Sequence, residues 1–256
     1  MAEEQNKPEK DAAAKPKSSI LWLIYKWFAI AVLVGFTFTL ALVAIYRVLP
    51  VPVTPLMIIR LFEQAGDEKR SLRLYKDWEP LSDITPALQL AVVCAEDQQF
   101  TAHAGFDFEA IEKALKHNKR YRRKRGASTI SQQTAKNVFL YPNRSWIRKG
   151  LEVYFTILIE SYWSKKRIME VYLNVIELGD GIYGAEAASN YFYKKNAAKI
   201  KAEEAALLAA VLPNPLRYKV NRPGTYIQNR KSWIYNQMLQ WDMKLDYGKR
   251  DYEKRN

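Results

Sequence analysis

Between Trp27 and Tyr46 the chain runs for 20 residues without a charge, WFAIAVLVGFTFTLALVAIY. At about 1.5 Å per residue, a helix of that length crosses a hydrocarbon core of about 30 Å. Lipid offers no water to backbone polar groups, so a lone segment of this kind can span only as a helix. Trp22, Tyr25, Trp27 and Tyr46 stand near its ends, where interfacial aromatics collect. A cleaved signal peptide is the competing reading. Its apolar region is ordinarily about 7–15 residues and leads into a small-residue cleavage site, and neither feature is seen here. An uncleaved anchor over residues 20–48 is therefore expected. Lys7, Lys10, Lys15, Lys17 and Lys26 precede the uncharged run, and only Arg47 and Arg60 follow it within about 20 residues. That asymmetry puts the N-terminus in the cytoplasm and the rest of the chain outside the plasma membrane, in contact with the bilayer.

Residues 1–19, rich in Lys, Glu, Ala and Pro, lack the apolar content to fold and read as a disordered cytoplasmic tail. After the anchor, LPVPVTP is too proline-rich for a helix or central strand and reads as an extended linker. Residues 57–64, MIIRLFEQ, read as a strand or helix of a core or as an element resting on the membrane, and their apolar content favours core. Beyond them the pattern is mostly helical. Thr85-Pro86 is a start signal, an N-cap followed by proline at the first helical position, with Ala87, Leu90, Ala91 and Cys94 on one apolar face. That helix should end near Glu96. Asp107 caps a second helix that runs into KRYRRKR and stops at Gly126, and Ser128 is placed to cap TISQQTAKN. Ser145 opens a longer helix with Leu151, Phe155, Leu158, Ile159 and Tyr162 turned inward. Further helices follow over residues 165–174 and in KAEEAALLAAVL, the last ended by Pro213. Periodic strands are scarce, apart from a small strand element expected in residues 51–80, so the domain is expected to be mainly α.

The net charge of +13 is focused rather than spread. From Lys113 to Lys149 there are 12 Lys or Arg and no Asp or Glu, which points to an anionic ligand. Nucleic acid is excluded by the expected topology. One cysteine, Cys94, cannot form an internal disulfide, and two histidines with one cysteine leave no protein-built zinc site. Any metal would be a hard cation held by carboxylates and ligand phosphates.

The chemistry concentrates in Gly126 to Glu152, GASTISQQTAKNVFLYPNRSWIRKGLE, which sets Lys136, Arg144, Arg148 and Lys149 between Gln132, Gln133 and Glu152. Glu96 lies 56 residues upstream of Glu152 in AEDQQFTAHAGFD. Cations that hold a diphosphate, with two separated carboxylates, are the parts needed to break a sugar–diphosphate bond. Each residue also has a plainer reading. Glu96 and Asp97 can be a solvated helix end; alternatively Glu96, beside Phe100 and Phe106, is a base with a raised pKa. Glu152, four residues after Arg148, can be a surface ion pair worth a few tenths of a kcal/mol. His103 reads as a loop hydrogen-bonding residue. Glu170 and Asn174, at i,i+4, either orient a sugar or support the core.

EDQQFTAHAGFD, GASTISQQTAKN, RKGLE, KKRIMEVYLNVIELGDGIYGAEAAS and EAALLAAVLPNP, in that order, resemble the successive motifs of the peptidoglycan glycosyltransferases. This is the lysozyme-like family found in bifunctional penicillin-binding proteins and as stand-alone, monofunctional enzymes. The similarity covers roughly residues 75–235, and the chain resembles the monofunctional Gram-negative type, with no transpeptidase domain expected after LPNP. The resemblance implies a bilobed domain over residues 75–245, preceded by the anchor and a juxtamembrane segment over residues 49–74, and followed by a charged tail over residues 246–256. It implies polymerisation of lipid II into β-1,4-linked glycan strands in cell wall synthesis, from the periplasmic face of the inner membrane. By motif match, Glu96 is the general base for the acceptor 4-hydroxyl. Lys136 and Arg144 neutralise the leaving diphosphate, and Glu152 with Lys149 stabilises the donor side. Ser128, Gln133 and Asn137 line the donor pocket, with Gln132, Arg148, Phe100, Glu170 and Asn174 as additional candidates. No covalently bound cofactor is implied; a divalent cation, Mg or Mn, accompanying the substrate diphosphate is an expectation, as are cell-division or cell-wall-synthesis partner proteins. The basic run KRYRRKR falls where the family has a mobile loop, and a role in steering or in binding lipid head groups is the expectation there.

Two other functions compete. A hydrolase of the same fold would use one glutamate and water, and would not need the diphosphate clamp. A non-catalytic membrane scaffold would leave Glu96 and Glu152 dispensable.

Overall fold

The computed structural model describes residues 20–68, 70–122, 124–143 and 145–248. The chain divides into two compact units at a boundary inside the first helix, between Leu42 and Val43. That helix, α1, spans Ile20–Tyr46, 27 residues or about 40 Å, and is long and apolar enough to cross a membrane. Through residues 20–37 every residue is exposed. Within α1 the Thr39 hydroxyl donates to the Phe36 carbonyl at 2.8 Å, so it would bring no unsatisfied polar group into a membrane.

The second unit is mainly helical. Thr54 caps α2, Pro55–Ala65, with Pro55 at its first position. Met57 and Gln64 are buried while Ile58 and Phe62 are exposed, so α2 is a core helix on one face only. A two-residue strand, β1 (Tyr75–Lys76), is the strand element anticipated before residue 80. Then come α3 (Pro86–Glu96), α4 (Phe108–Arg120), α5 (Ile130–Phe139), α6 (Trp146–Tyr162) and α7 (Lys165–Val175). Two short strands, β2 (Glu177–Gly179) and β3 (Ile182–Tyr183), precede α8 (Ala185–Tyr193), α9 (Ala202–Val211) and α10 (Thr225–Gln240). β3 lies between its neighbours, parallel to β1 and antiparallel to β2. Gly181 turns β2 into β3 at φ +70°, where a Cβ would lie 2.5 Å from the Arg73 carbonyl oxygen, so only glycine lets β1 approach.

The helices fall into two packed sets: α3, α9 and α10 in one, α5, α6 and α7 in the other. α3 is the centre of the first. Leu88 through Cys94 are all buried, so it has no polar face, and the single apolar face expected for it was too narrow. Leu151 and Tyr162, expected inward on α6, are 41% and 49% exposed; Phe155 and Ile159 carry that interface instead. The last carbonyls of α1 are met by the second set. The Trp163 indole N–H donates to Val43 O at 2.8 Å and Arg167 donates to Tyr46 O at 2.8 Å. Val43 O, which also accepts from Arg47 N at 3.1 Å, gains a second donor, and Tyr46 O at the helix end gains a side-chain one.

Two helix limits differ from expectation. α5 is capped by Thr129, not Ser128: its hydroxyl accepts from Gln132 N while the Gln132 side chain accepts from Thr129 N, a reciprocal capping box. α4 stops at Arg120, six residues before Gly126. Continuing it would stack like charges on successive turns. Instead Asn118 folds the chain back, accepting from Arg125 N at 2.6 Å and donating to Arg125 O at 3.0 Å.

Candidate active site

Glu96 ends α3. It is mostly buried, and each oxygen has its own donor: Gln133 Nε2 reaches Oε2 at 2.8 Å and Arg230 Nη2 reaches Oε1 at 3.3 Å. Tyr172 donates from its hydroxyl to Gln133 Oε1 at 3.2 Å, which turns the amide nitrogen of Gln133 toward the carboxylate. Burial raises the Glu96 pKa. The Gln133 hydrogen bond and the charges of Arg230 and Lys136 oppose burial without cancelling it. The result is a carboxylate whose ionised form is held by donors while its pKa stays above that of a free carboxylate.

Asp97 is not a solvated helix end. It is buried and accepts from Ile130 N at 2.9 Å and from His103 Nε2 at 2.9 Å, tying the loop after α3 to the start of α5. His103 is the loop hydrogen-bonding residue expected.

On α5, the Lys136 side chain makes no ion pair or hydrogen bond among the described residues. Burial lowers its pKa, Glu152 and Glu96 raise it, and Arg148 and Lys149 lower it. Lys136 therefore feels both carboxylates. Glu152, on α6, is buried with only 3% of its surface exposed. Arg148 Nη1 pairs with its Oε2 at 2.6 Å and Lys149 with its Oε1. The Arg148–Glu152 pair thus forms, but it is buried rather than on the surface. Removing one partner of such a pair costs about 3–5 kcal/mol, well above the few tenths assigned to an exposed one. The Nε of Arg148 is buried without a hydrogen-bond partner among the described residues, a donor left for a ligand oxygen.

Two clefts meet at this cluster. The first, about 310 Å³, is lined by Glu96, Asp97, Lys113, Arg125, Ser128 and Trp233 among others. The second, about 380 Å³, is lined by Arg60, Gln133, Lys136, Asn137, Arg148 and Tyr172 among others. Gln133 joins them, facing the second cleft while bonded to Glu96 of the first.

The remaining expected residues divide. Asn137 lines the second cleft, and Ser128, exposed, lines the first, on the Glu96 side. Arg144 lies outside the described residues. Gln132 is taken up by the capping box of α5. Phe100 is fully buried in the core, with the Lys165 ammonium 4.5 Å from its ring centroid. Glu170 accepts from Leu81 N at 3.1 Å and Asn174 bonds Glu79 N and O at 2.8 Å, so both hold the backbone of residues 79–81 in place. Arg230, Tyr172 and Trp233 were not foreseen. Tyr172 stands inside a quoted motif, whereas Arg230 and Trp233 sit on a helix whose sequence carries no signal pointing to Glu96. Among the described residues no three His, Cys, Asp or Glu side chains group to hold a metal ion.

A family model described as Transglycosylase matches residues 65–239. The biosynthetic peptidoglycan transglycosylase of Bdellovibrio bacteriovorus is 56% identical over 213 residues, 83% of this chain and 85% of that one. The protein of the same name from Xanthomonas axonopodis pv. citri is 49% identical over 228 residues, 89% of this chain and 92% of that one. The one from Bacteroides thetaiotaomicron is 52% identical over 204 residues, 79% and 82% of the two chains.

Proposed function

The chain belongs to the transglycosylase family, as a peptidoglycan glycosyltransferase of cell wall biosynthesis, and from that premise we propose how its residues carry the reaction. The substrate is lipid II, which serves as acceptor while the growing strand on its lipid diphosphate serves as donor. Glu96 takes the proton from the 4-hydroxyl of the acceptor N-acetylglucosamine. That oxygen attacks C1 of the donor muramyl sugar with inversion, and the C1–O bond to the diphosphate breaks. A β-1,4 bond forms and undecaprenyl diphosphate leaves.

Lys136 and Arg144 neutralise the charge that grows on the leaving group. Arg148 and Lys149, held by Glu152, complete the cationic wall, and Asn137 and Gln133 line the donor side. The observation that carries this reading is Lys136, a half-buried ammonium that makes no ion pair among the described residues and feels both carboxylates. A partly desolvated cation with no contact ion pair among the described residues favours an anion, and a diphosphate fits. Glu152 has both oxygens engaged by Arg148 and Lys149, and Glu96 by Gln133 and Arg230. A divalent cation accompanying the diphosphate would therefore take its ligands from phosphate oxygens and water.

The excess of lysine before α1 supports a single-pass anchor with a cytoplasmic N-terminus and a periplasmic catalytic domain at the inner membrane. The test is incubation of detergent-solubilised protein with lipid II, wild type beside Glu96→Gln. Polymer that lysozyme digests, formed by wild type and not by the variant, supports the reading. Shortening of added glycan strands without polymer would replace it with a hydrolase. Polymer from both proteins would remove Glu96 from the mechanism.

A further inference from the structure

α10 runs past the end of α3, and its buried face is anchored by Ile227, Ile234 and Met238. Two side chains one heptad apart fasten its other contacts to the residues around the base. Arg230 donates to Ala95 O at 3.2 Å and to Glu96, and Gln237 accepts from Gln98 Nε2 at 3.2 Å. Trp233 stands between those two ties, one turn beyond Arg230. Its position beside Glu96 is therefore held from both sides.

Trp233 lines the first cleft together with Glu96, yet 47% of its surface is exposed. Among the described residues no aromatic ring or cation stacks on its indole. On the same stripe of α10, Tyr226, Asn229 and Arg230 join Trp233 around an open hollow that continues the cleft. A large apolar ring left half in water, fixed rigidly beside a base, is a surface suited to the C–H face of a pyranose. The neighbouring Asn229 amide suits sugar hydroxyl or acetamido groups.

We propose that Trp233 is the acceptor-sugar platform: its indole stacks on the terminal N-acetylglucosamine of the incoming lipid II and presents the 4-hydroxyl to Glu96. This rests on the glycosyltransferase reading and assigns a residue to its acceptor side. Trp233 acts by positioning and takes no proton. The bond made is donor C1 to acceptor O4, the bond broken is donor C1 to diphosphate oxygen, and the proton goes to Glu96.

The test separates donor from acceptor. A 4-deoxy lipid II can donate but not accept. A lipid II analogue whose muramyl C1 is joined to its lipid through carbon can accept but not donate. One coupling event between them gives KM for each partner. Trp233→Ala should raise the acceptor KM about tenfold, equal to ~1.4 kcal/mol, with the donor KM within about twofold of wild type. Trp233→Phe should restore most of the acceptor KM, while Trp233→Leu, which fills space without a ring face, should behave like Trp233→Ala. If the alanine variant does not fold, as judged by its melting temperature, the phenylalanine and leucine variants carry the comparison. An unchanged acceptor KM, an equal rise in both KM values, or a leucine variant as good as phenylalanine overturns the platform while leaving the transferase standing. Absence of any coupled product with wild type overturns the transferase reading, and the platform with it.

Discussion

Gln133 Nε2 donates to Glu96 Oε2 at 2.8 Å across 37 residues of sequence, linking the two clefts through one amide. The hydrogen bond favours the ionised carboxylate, against the burial that raises its pKa. Gln133→Leu removes the opposing contribution, so the Glu96 pKa should rise further. A carboxylate base works only when ionised, so the acidic limb of kcat/KM against pH should move to higher pH. Activity at neutral pH should fall and recover partly as pH rises. A limb that does not move would show that Glu96 is not the titrating base.

Tyr172 fixes which end of that amide faces Glu96, and it is fully buried. Tyr172→Phe keeps the ring and removes the hydroxyl, at a cost of about 1 kcal/mol in stability. Free to turn, the Gln133 amide should hold Glu96 less well. A several-fold loss of kcat with a melting temperature only slightly lowered is the expected outcome, measured by lipid II polymerisation and thermal unfolding.

Burial lowers the pKa of Lys136 below the ordinary lysine value of 10.5, and a lysine loses its charge as pH rises through its pKa. The alkaline limb of the same profile should therefore lie below that value. Lys136→Arg, which keeps its charge at all accessible pH, should flatten the limb whatever its effect on rate. Lys136→Met should lower kcat by about 10²–10³, or ~2.7–4 kcal/mol.

Glu152 and Arg148 form a buried pair, so each single substitution should destabilise by about 3–5 kcal/mol in denaturant unfolding. Glu152→Leu combined with Arg148→Met should recover much of that loss, because neither charge is then left uncompensated. The double variant should remain inactive if the pair serves the leaving diphosphate. A stable double variant with near wild-type turnover would reduce the pair to scaffolding.

Arg120, Arg122 and Lys124 belong to the exposed basic run that ends α4 and continues beyond it. Changing all three to Gln should weaken binding to vesicles rich in anionic lipid, and most strongly at low salt, since exposed charges act over about 10 Å at 0.1 M salt. Single-turnover coupling of detergent-presented substrate should be nearly unchanged. Loss of single-turnover chemistry would move the run into the reaction itself.

Much of the architecture was legible because it is local. The apolar segment expected over residues 20–48 forms α1 over Ile20–Tyr46, ending where the uncharged run ends. Thr85, Asp107 and Ser145 accept from backbone N–H groups two or three residues on, as caps must, and each opens the helix expected of it. Misreadings arose where two local devices competed. Ser128 and Thr129 are adjacent hydroxyls, and the reciprocal bond to Gln132 decided between them. The basic run after α4 looked helical by composition, but Asn118 turns the chain there.

The sequence by itself determined the long apolar helix, the mainly helical fold, the focused cationic segment and the two carboxylates. These follow from composition and from contacts within about one helical turn. Only the tertiary structure decided what those carboxylates are. Arg230 reaches Glu96 across 134 residues, Ile130 reaches Asp97 across 33, and Tyr172 reaches Gln133 across 39. Burial made the difference at each of them. It is a property of packed helices that no single segment possesses, and it turned an apparent surface pair at Glu152 into a buried one, raised the pKa of Glu96 and lowered that of Lys136.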